Sequence, residues 1–238
     1  TRDRLASHGM TGIGAVEQPH VRPWSTVFRI PTDGGVFWCK AAGPGTAHEA
    51  RLLTAFAAWG VAEVVLPLDA DVERGWLLFE DGGPTLRQMR PDGTGDADLA
   101  AWEAILVEYA RLQRSVEDRA QEMVRLGVPD GRPVILADTL RGIVEDDRWW
   151  SLVGADDRPA ADAGRERLRG LGGWVAATAA ELEGFGIAAT IQHDDLHGGN
   201  IFVGAARTRI FDWGDAAVAH PFGTLVTTLN SVAYRLGT

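Results

Sequence analysis

Two stretches late in the chain gather most of the side chains able to do chemistry: "HDDLHGGNIF" (His193–Phe202) and "RIFDWGD" (Arg209–Asp215). In each region a short apolar strand runs into polar residues. Strand ends that present Asp195, Asn200 and Asp212 supply hard oxygen ligands. Such ligands suit Mg²⁺, which keeps few protein groups and takes phosphate oxygens for the rest. Asp195 is then a candidate to accept a proton from a substrate hydroxyl. Asp215 either assists a metal or braces the loop. His193 and His197 stand four apart, a spacing that zinc sites use, but the neighbouring Gly198 and Gly199 and the lack of a third soft ligand weigh against zinc.

A third candidate lies far upstream. Lys40, in the apolar run "VFWCKAAG" (Val36–Gly43), is the single lysine of a 238-residue chain whose other basic residues are arginine. A lysine offers a compact point charge on a slim stem, whereas arginine offers a wide planar fork. Cys39 adjoins Lys40 on the same expected strand, so it points to the opposite face and reads as core.

These residues need elements to position them. "STVFRI" (Ser25–Ile30) and "VFWCKA" (Val36–Ala41) read as strands joined by the turn "TDGG" (Thr32–Gly35). A helix follows, with Thr46 and Glu49 spaced as a capping box and Leu52, Leu53, Phe56 and Trp59 on one face. "EVVLPL" and "GWLLFE" read as two more strands. After the break "DGGP" (Asp81–Pro84) the pattern turns helical, and Leu99, Trp102, Leu106, Tyr109, Gln113 and Val116 fall near helical spacing. Further helices are expected around 134–146, 162–183 and 222–236, with a Gly/Asp-rich loop at 91–98. The layout implies two lobes meeting near residue 82: 1–82 and 83–238.

His-x-Asp, then four residues and Asn, followed by Ile-x-Asp-Trp, resembles the aminoglycoside phosphotransferase and choline kinase family, a branch of the protein-kinase-like fold. The resemblance runs from about Val16 to the end of the chain. It implies an α+β, bilobal fold: a small antiparallel sheet with one helix as the nucleotide-binding lobe, then a mainly helical lobe that carries the catalytic and metal loops. It implies Asp195 as catalytic base, Asn200 and Asp212 as metal ligands, and His193 as structural support for the catalytic loop. Lys40, on the third strand, would contact ATP phosphates and pair with Glu49, which the capping-box spacing also claims. Glu80 and Gly82 would lie in the hinge that reads the base. The phosphate-covering loop would be "HVRPWST", with Ser25 at its tip; it lacks G-x-G-x-x-G, and no Walker sequence exists elsewhere. Asp194 departs from the family, which usually has Gly there. The chain also leaves no room for the peptide platform of a protein kinase. Family members commonly continue with more helices after the segment matching "HPFGTL", so the acceptor pocket is expected to be incomplete.

The implied function is ATP- and Mg²⁺-dependent transfer of a phosphoryl group to a hydroxyl of a small polar molecule, such as an amino sugar, another sugar or an amino alcohol. A non-catalytic nucleotide-binding regulator and a metal-dependent phosphohydrolase built on "HDD" and His197 are the competing readings. "EDDRWW" (Glu145–Trp150) sets acids beside aromatics, which can hold a cationic amine, although paired tryptophans are more often core. The net charge of −10 with no basic stripe makes nucleic acid an unexpected partner, while an acidic balance is compatible with a cationic one. One cysteine excludes an intrachain disulfide, and the start lacks a signal peptide's apolar core, so a cytoplasmic location is expected. The uncharged run Ala216–Tyr234 contains His, Pro and Asn and reads as a buried helix, with no membrane span. The missing initial Met reads as a trimmed start.

Overall fold

The computed structural model describes residues 2–90, 96–204 and 208–236. It opens with α1 (Arg2–Ser7), β1 (Glu17–Arg22), β2 (Ser25–Thr32) and β3 (Gly35–Ala42). Then come α2 (His48–Trp59), β4 (Asp69–Asp71) and β5 (Trp76–Glu80). The five strands form one antiparallel sheet in the order β1-β2-β3-β5-β4. The β2–β3 hairpin is the one expected. Its strands are β-branched and aromatic, and Thr32 opposite Gly35 closes a tight loop. Gly35 has a φ of +118°, a conformation that a side chain rarely permits.

"EVVLPL" is not a strand. Its backbone is drawn to the other lobe: Val65 N–H donates to the Ile210 carbonyl at 2.9 Å, and Ile210 N–H donates to the Glu63 carbonyl at 2.8 Å. The sheet's last strand forms afterwards, at β4. The capping box expected for α2 is also absent. The N-cap is Ala47, with no side-chain bond, and Thr46 Oγ1 donates to the Trp24 carbonyl at 2.7 Å. The helix ends on Gly60 in the left-handed region, which returns its N–H to the Phe56 and Ala57 carbonyls.

The rest of the chain is mainly helical: α3 (Leu86–Met89), α4 (Asp96–Ser115), a 3₁₀ turn (Glu117–Arg119), α5 (Ala120–Arg125), α6 (Pro133–Glu145), α7 (Asp147–Trp150), α8 (Arg158–Gly170) and α9 (Gly172–Gly184). Short β6 (Asp130–Gly131) follows α5 in sequence, and β7 (Thr190–Gln192), β8 (Ile201–Val203), β9 (Thr208–Ile210), β10 (Ala217–Ala219) and α10 (Leu225–Leu236) complete the order. The single helix expected over 162–183 is two, broken at Leu171 between glycines. The run 216–234 is not one buried helix either: it holds β10 and an α10 whose outer face exposes Val226, Leu229 and Tyr234. Leu99, placed on the inner face of α4, is exposed. Of the expected loop at 91–98, residues 91–95 lie outside the described residues and 96–98 open α4. No helix among the described residues is long and apolar enough to cross a membrane.

Two cores hold these layers. A small cluster of Leu5, Ile30, Phe37, Cys39 and Leu78 fills the back of the sheet, where alternation had placed Cys39. The large cluster is continuous from α2 into the helical lobe, through Phe56, Leu112, Met123, Ile191 and Trp213. Each such side chain contributes about 1.5–3 kcal/mol on burial.

Candidate active site

The alternation that buries Phe37 and Cys39 behind β3 turns Trp38 and Lys40 toward a cleft between the sheet and the helical lobe. The cleft has a volume of about 490 Å³, within the usual range for small-molecule sites. Ser25, Lys40, Glu49, Glu80, Gly82 and Asp212 all line it.

Lys40 Nζ lies 2.6 Å from Glu49 Oε2 and 2.5 Å from Asp212 Oδ1. The ammonium thus joins β3, α2 and the loop after β9. The remaining Glu49 oxygen accepts the Trp213 N–H at 2.9 Å. Glu49 serves this bridge, and the capping role is excluded. Burial pushes the Lys40 pKa down, but Glu49 and Asp212 outweigh it, and the net shift is upward. Asp212 moves down for the matching reason: burial opposes its charge, and Lys40 overcomes that. Glu49 departs from the pattern of a simple pair. It is almost fully buried, and burial pushes its carboxyl up against the pull of Lys40 and the Trp213 N–H. A lysine between two carboxylates stays protonated in either case.

His193 is fully buried, with its ring 4.7 Å from Trp213 and its Nε2 2.8 Å from the Phe211 carbonyl. A carbonyl only accepts, so Nε2 carries the hydrogen. Nδ1 then has no partner, and burial lowers the pKa to about 4. The side chain is therefore a neutral, buried brace, and among the described residues no group of three His, Cys, Asp or Glu side chains gathers around it to hold a zinc ion. His197 is used locally as well: Nδ1 accepts the Gly199 N–H at 3.0 Å, and Nε2 lies 3.5 Å from Asp195 Oδ2.

Asp195 and Asn200 stand outside the cleft wall, on the loop between β7 and β8. Asn200 Nδ2 donates to both the carbonyl and Oδ2 of Asp195 at 3.0 Å, and its own carbonyl accepts the Phe211 N–H at 3.0 Å. The loop is thus laced to the segment that carries Asp212. Asp194 and Asp212 both have positive φ, 58° and 65°. For residues with a side chain this costs about 1–3 kcal/mol and concentrates at functional sites.

The donor set fits a hard cation. Asn200 uses its amide N–H groups on Asp195, so its Oδ1 and the Asp212 carboxylate are the oxygens that could hold such a cation. The surrounding acids repel one another: burial together with Asp212 and Asp195 raises Asp215, and burial together with Asp215 raises Asp194. Among the described residues no three His, Cys, Asp or Glu side chains converge as a complete metal cage. A partial set leaves room for phosphate oxygens.

One part of the cleft is apolar, lined by Val27, Val65 and Phe79 and by a stacked pair, Phe202 and Phe211, whose rings are 4.2 Å apart. Gly82 is required there: a Cβ on it would fall 2.2 Å from Phe202 Cε2. Ser25 is not at a loop tip. The turn is Pro23-Trp24, and Ser25 is the buried first residue of β2.

A family model described as "Phosphotransferase enzyme family" matches residues 19–236. The chain belongs to that family. It is a phosphotransferase, and solved structures give the fold independently. A choline/ethanolamine kinase family protein from Mesorhizobium loti superposes with a TM-score of 0.51 at 16% identity, over 99% of this chain and 73% of that one. An ethanolamine kinase from Plasmodium vivax gives 0.60 at 12%, over 92% and 61%. A thermostable mutant of aminoglycoside phosphotransferase APH(4)-Ia gives 0.56 at 12%, over 100% and 81%. The phosphotransferase therefore has the α+β bilobal, protein-kinase-like fold that its motifs imply. A search of curated protein sequences finds no match.

Some participants escaped the sequence reading. His20, the one half-buried residue of β1, lines the cleft, as do Thr85 and Gln88, whose capping box opens α3. The "TLRQ" spacing could have revealed that box. Nothing local marks His20. "EDDRWW" is satisfied by the protein's own arginines: Asp146 by Arg148, Glu145 by Arg169, and Trp150 by Arg165 over its ring.

Proposed function

We propose that this phosphotransferase moves the γ-phosphoryl group of ATP to a hydroxyl of a small polar molecule, an amino sugar, another sugar or an amino alcohol. The observation that carries the reading is the convergence of Lys40, Glu49 and Asp212 in the wall of a largely apolar cleft. Residues 1–82 would bind the nucleotide and 83–238 would bring the acceptor and the catalytic loop. Val27, Val65, Phe79, Phe202 and Phe211 would enclose the base against the Glu80–Gly82 hinge. Lys40, held by Glu49, would direct its charge at the phosphates. Asn200 and Asp212 would hold Mg²⁺, which supplies charge neutralisation for the triphosphate.

Asp195 would accept the proton of the acceptor hydroxyl as that oxygen bonds to the γ-phosphorus and the bond to the leaving ADP oxygen breaks. Asn200 would orient the carboxylate through Oδ2. Positioning and charge stabilisation supply most of the acceleration in such transfers. Asp195→Asn is expected to lower turnover by about 10²–10⁴-fold, the usual worth of general-base catalysis, with ATP affinity kept. ADP formation across a panel of hydroxylated amines and sugars, with ATP binding by calorimetry, is the measurement. Wild-type turnover in that variant sinks the base assignment; bound ATP with no turnover on any acceptor points to a nucleotide-binding regulator.

A further inference from the structure

None of the residues of α10 lines the cleft, yet the segment that opens this helix grips the loop carrying Asp195. Thr224 Oγ1 accepts the His193 N–H at 3.1 Å and donates to Gln192 Oε1 at 2.8 Å. Thr227 Oγ1 donates to the Asp194 carbonyl at 2.7 Å. Thr228 Oγ1 lies 2.9 Å from the Leu196 carbonyl; its other acceptor, the Thr224 carbonyl one turn back, is farther away at 3.1 Å. The peptide carbonyls on the two sides of Asp195 thus each accept a hydroxyl from consecutive residues of one helix.

Two features argue that the hydroxyls matter. Threonine is a mediocre helix former, and its hydroxyl competes with the helix backbone, so adjacent threonines in a helix cost stability that a contact must offset. Second, Asp194 sits at a φ of 58°, a conformation that persists for a non-glycine residue only where its surroundings impose it. The carbonyl that Thr227 holds is that of this residue.

We propose that Thr227 and Thr228 are positioning residues for phosphoryl transfer: their hydroxyls clamp the Asp194 and Leu196 carbonyls and so aim the Asp195 carboxylate at the acceptor. The inference rests on the reading of Asp195 as the base. Valine keeps the shape and branching of threonine and removes the hydroxyl, whereas serine keeps the hydroxyl.

The test uses the full chain with Thr227→Val, Thr227→Ser, Thr228→Val and Thr228→Ser, with kcat and the ATP KM measured by ADP formation. Amide hydrogen exchange over residues 194–198 is followed in the absence of substrate. Each valine variant is expected to lose about five- to tenfold in kcat, the worth of one hydrogen bond, while the ATP KM stays within about twofold. Serine is expected to restore kcat, and loop exchange is expected to be faster in the valine variants alone. Unchanged kcat in Thr227→Val, serine as impaired as valine, or unchanged loop exchange overturns the proposal. A general loss of stability with no split between kcat and KM reduces the threonines to helix anchors and also overturns it. If Asp195→Asn retains turnover, the base assignment fails, and the exchange comparison still decides whether the clamp exists.

Discussion

Lys40 shows what one residue type can do that its nearest relative cannot. Its ammonium touches Glu49 and Asp212 at 2.6 and 2.5 Å while only 12% of the side chain is exposed. A point charge can sit between two carboxylates on different elements and still face a third group. The guanidinium fork prefers to match one carboxylate along a plane, whereas here the two carboxylates belong to different elements. Lys40→Arg keeps the charge and should still lower kcat by about 10²-fold, comparable to removing one pre-organised electrostatic donor. Steady-state kinetics check this, and parental activity would mean that the site needs a positive charge but not the shape of lysine. The motifs pointed to Lys40, Glu49 and Asp212, which the fold joins, and to Asp195 and Asn200, which it pairs on the β7–β8 loop. The Trp213 N–H that completes the Glu49 bridge was not legible, because a backbone group leaves no trace in sequence.

Among the elements, the apolar part of the cleft depends on a contact between the segment after β5 and the β8–β9 hairpin. Gly82 lets the chain pass against Phe202, which stacks on Phe211. Gly82→Ala would push a methyl group into that ring and should cost about 1–3 kcal/mol of overpacking, with a matching loss of ATP affinity as the stack tilts. Calorimetric titration with ATP reads the affinity, and unchanged binding would show that the ring moves aside freely. The hairpin β2–β3 was visible as alternation and a glycine turn. "EVVLPL" misled for a physical reason: β-branched residues fit an extended backbone, but whether they join the sheet depends on which carbonyls come within reach, and Ile210 captured Glu63 and Val65. Thr46 and Glu49 had the spacing of a capping box, and a buried ammonium outcompeted the local bond.

Over the whole molecule the two lobes share a core. Phe56 of α2 is fully buried, with its ring 5.9 Å from Trp59 and 5.3 Å from Trp213, the residue after Asp212. Phe56→Ala should destabilise the protein by about 3–5 kcal/mol, since the cavity would open between elements of both lobes. Urea unfolding measures it, and a loss below about 1 kcal/mol would mean that the interface closes around the gap.

Residue type and short-range spacing alone reveal the candidate groups, the carboxylates, the amide and the lysine, and the hairpin and helix patterns that carry them. The tertiary structure decided the meeting of Lys40 with an acid 172 positions away, the use of Glu49, the neutral state of buried His193 and the threonine grip on the Asp195 loop. Those depend on long-range docking, set by backbone carbonyls and excluded water that no local pattern encodes.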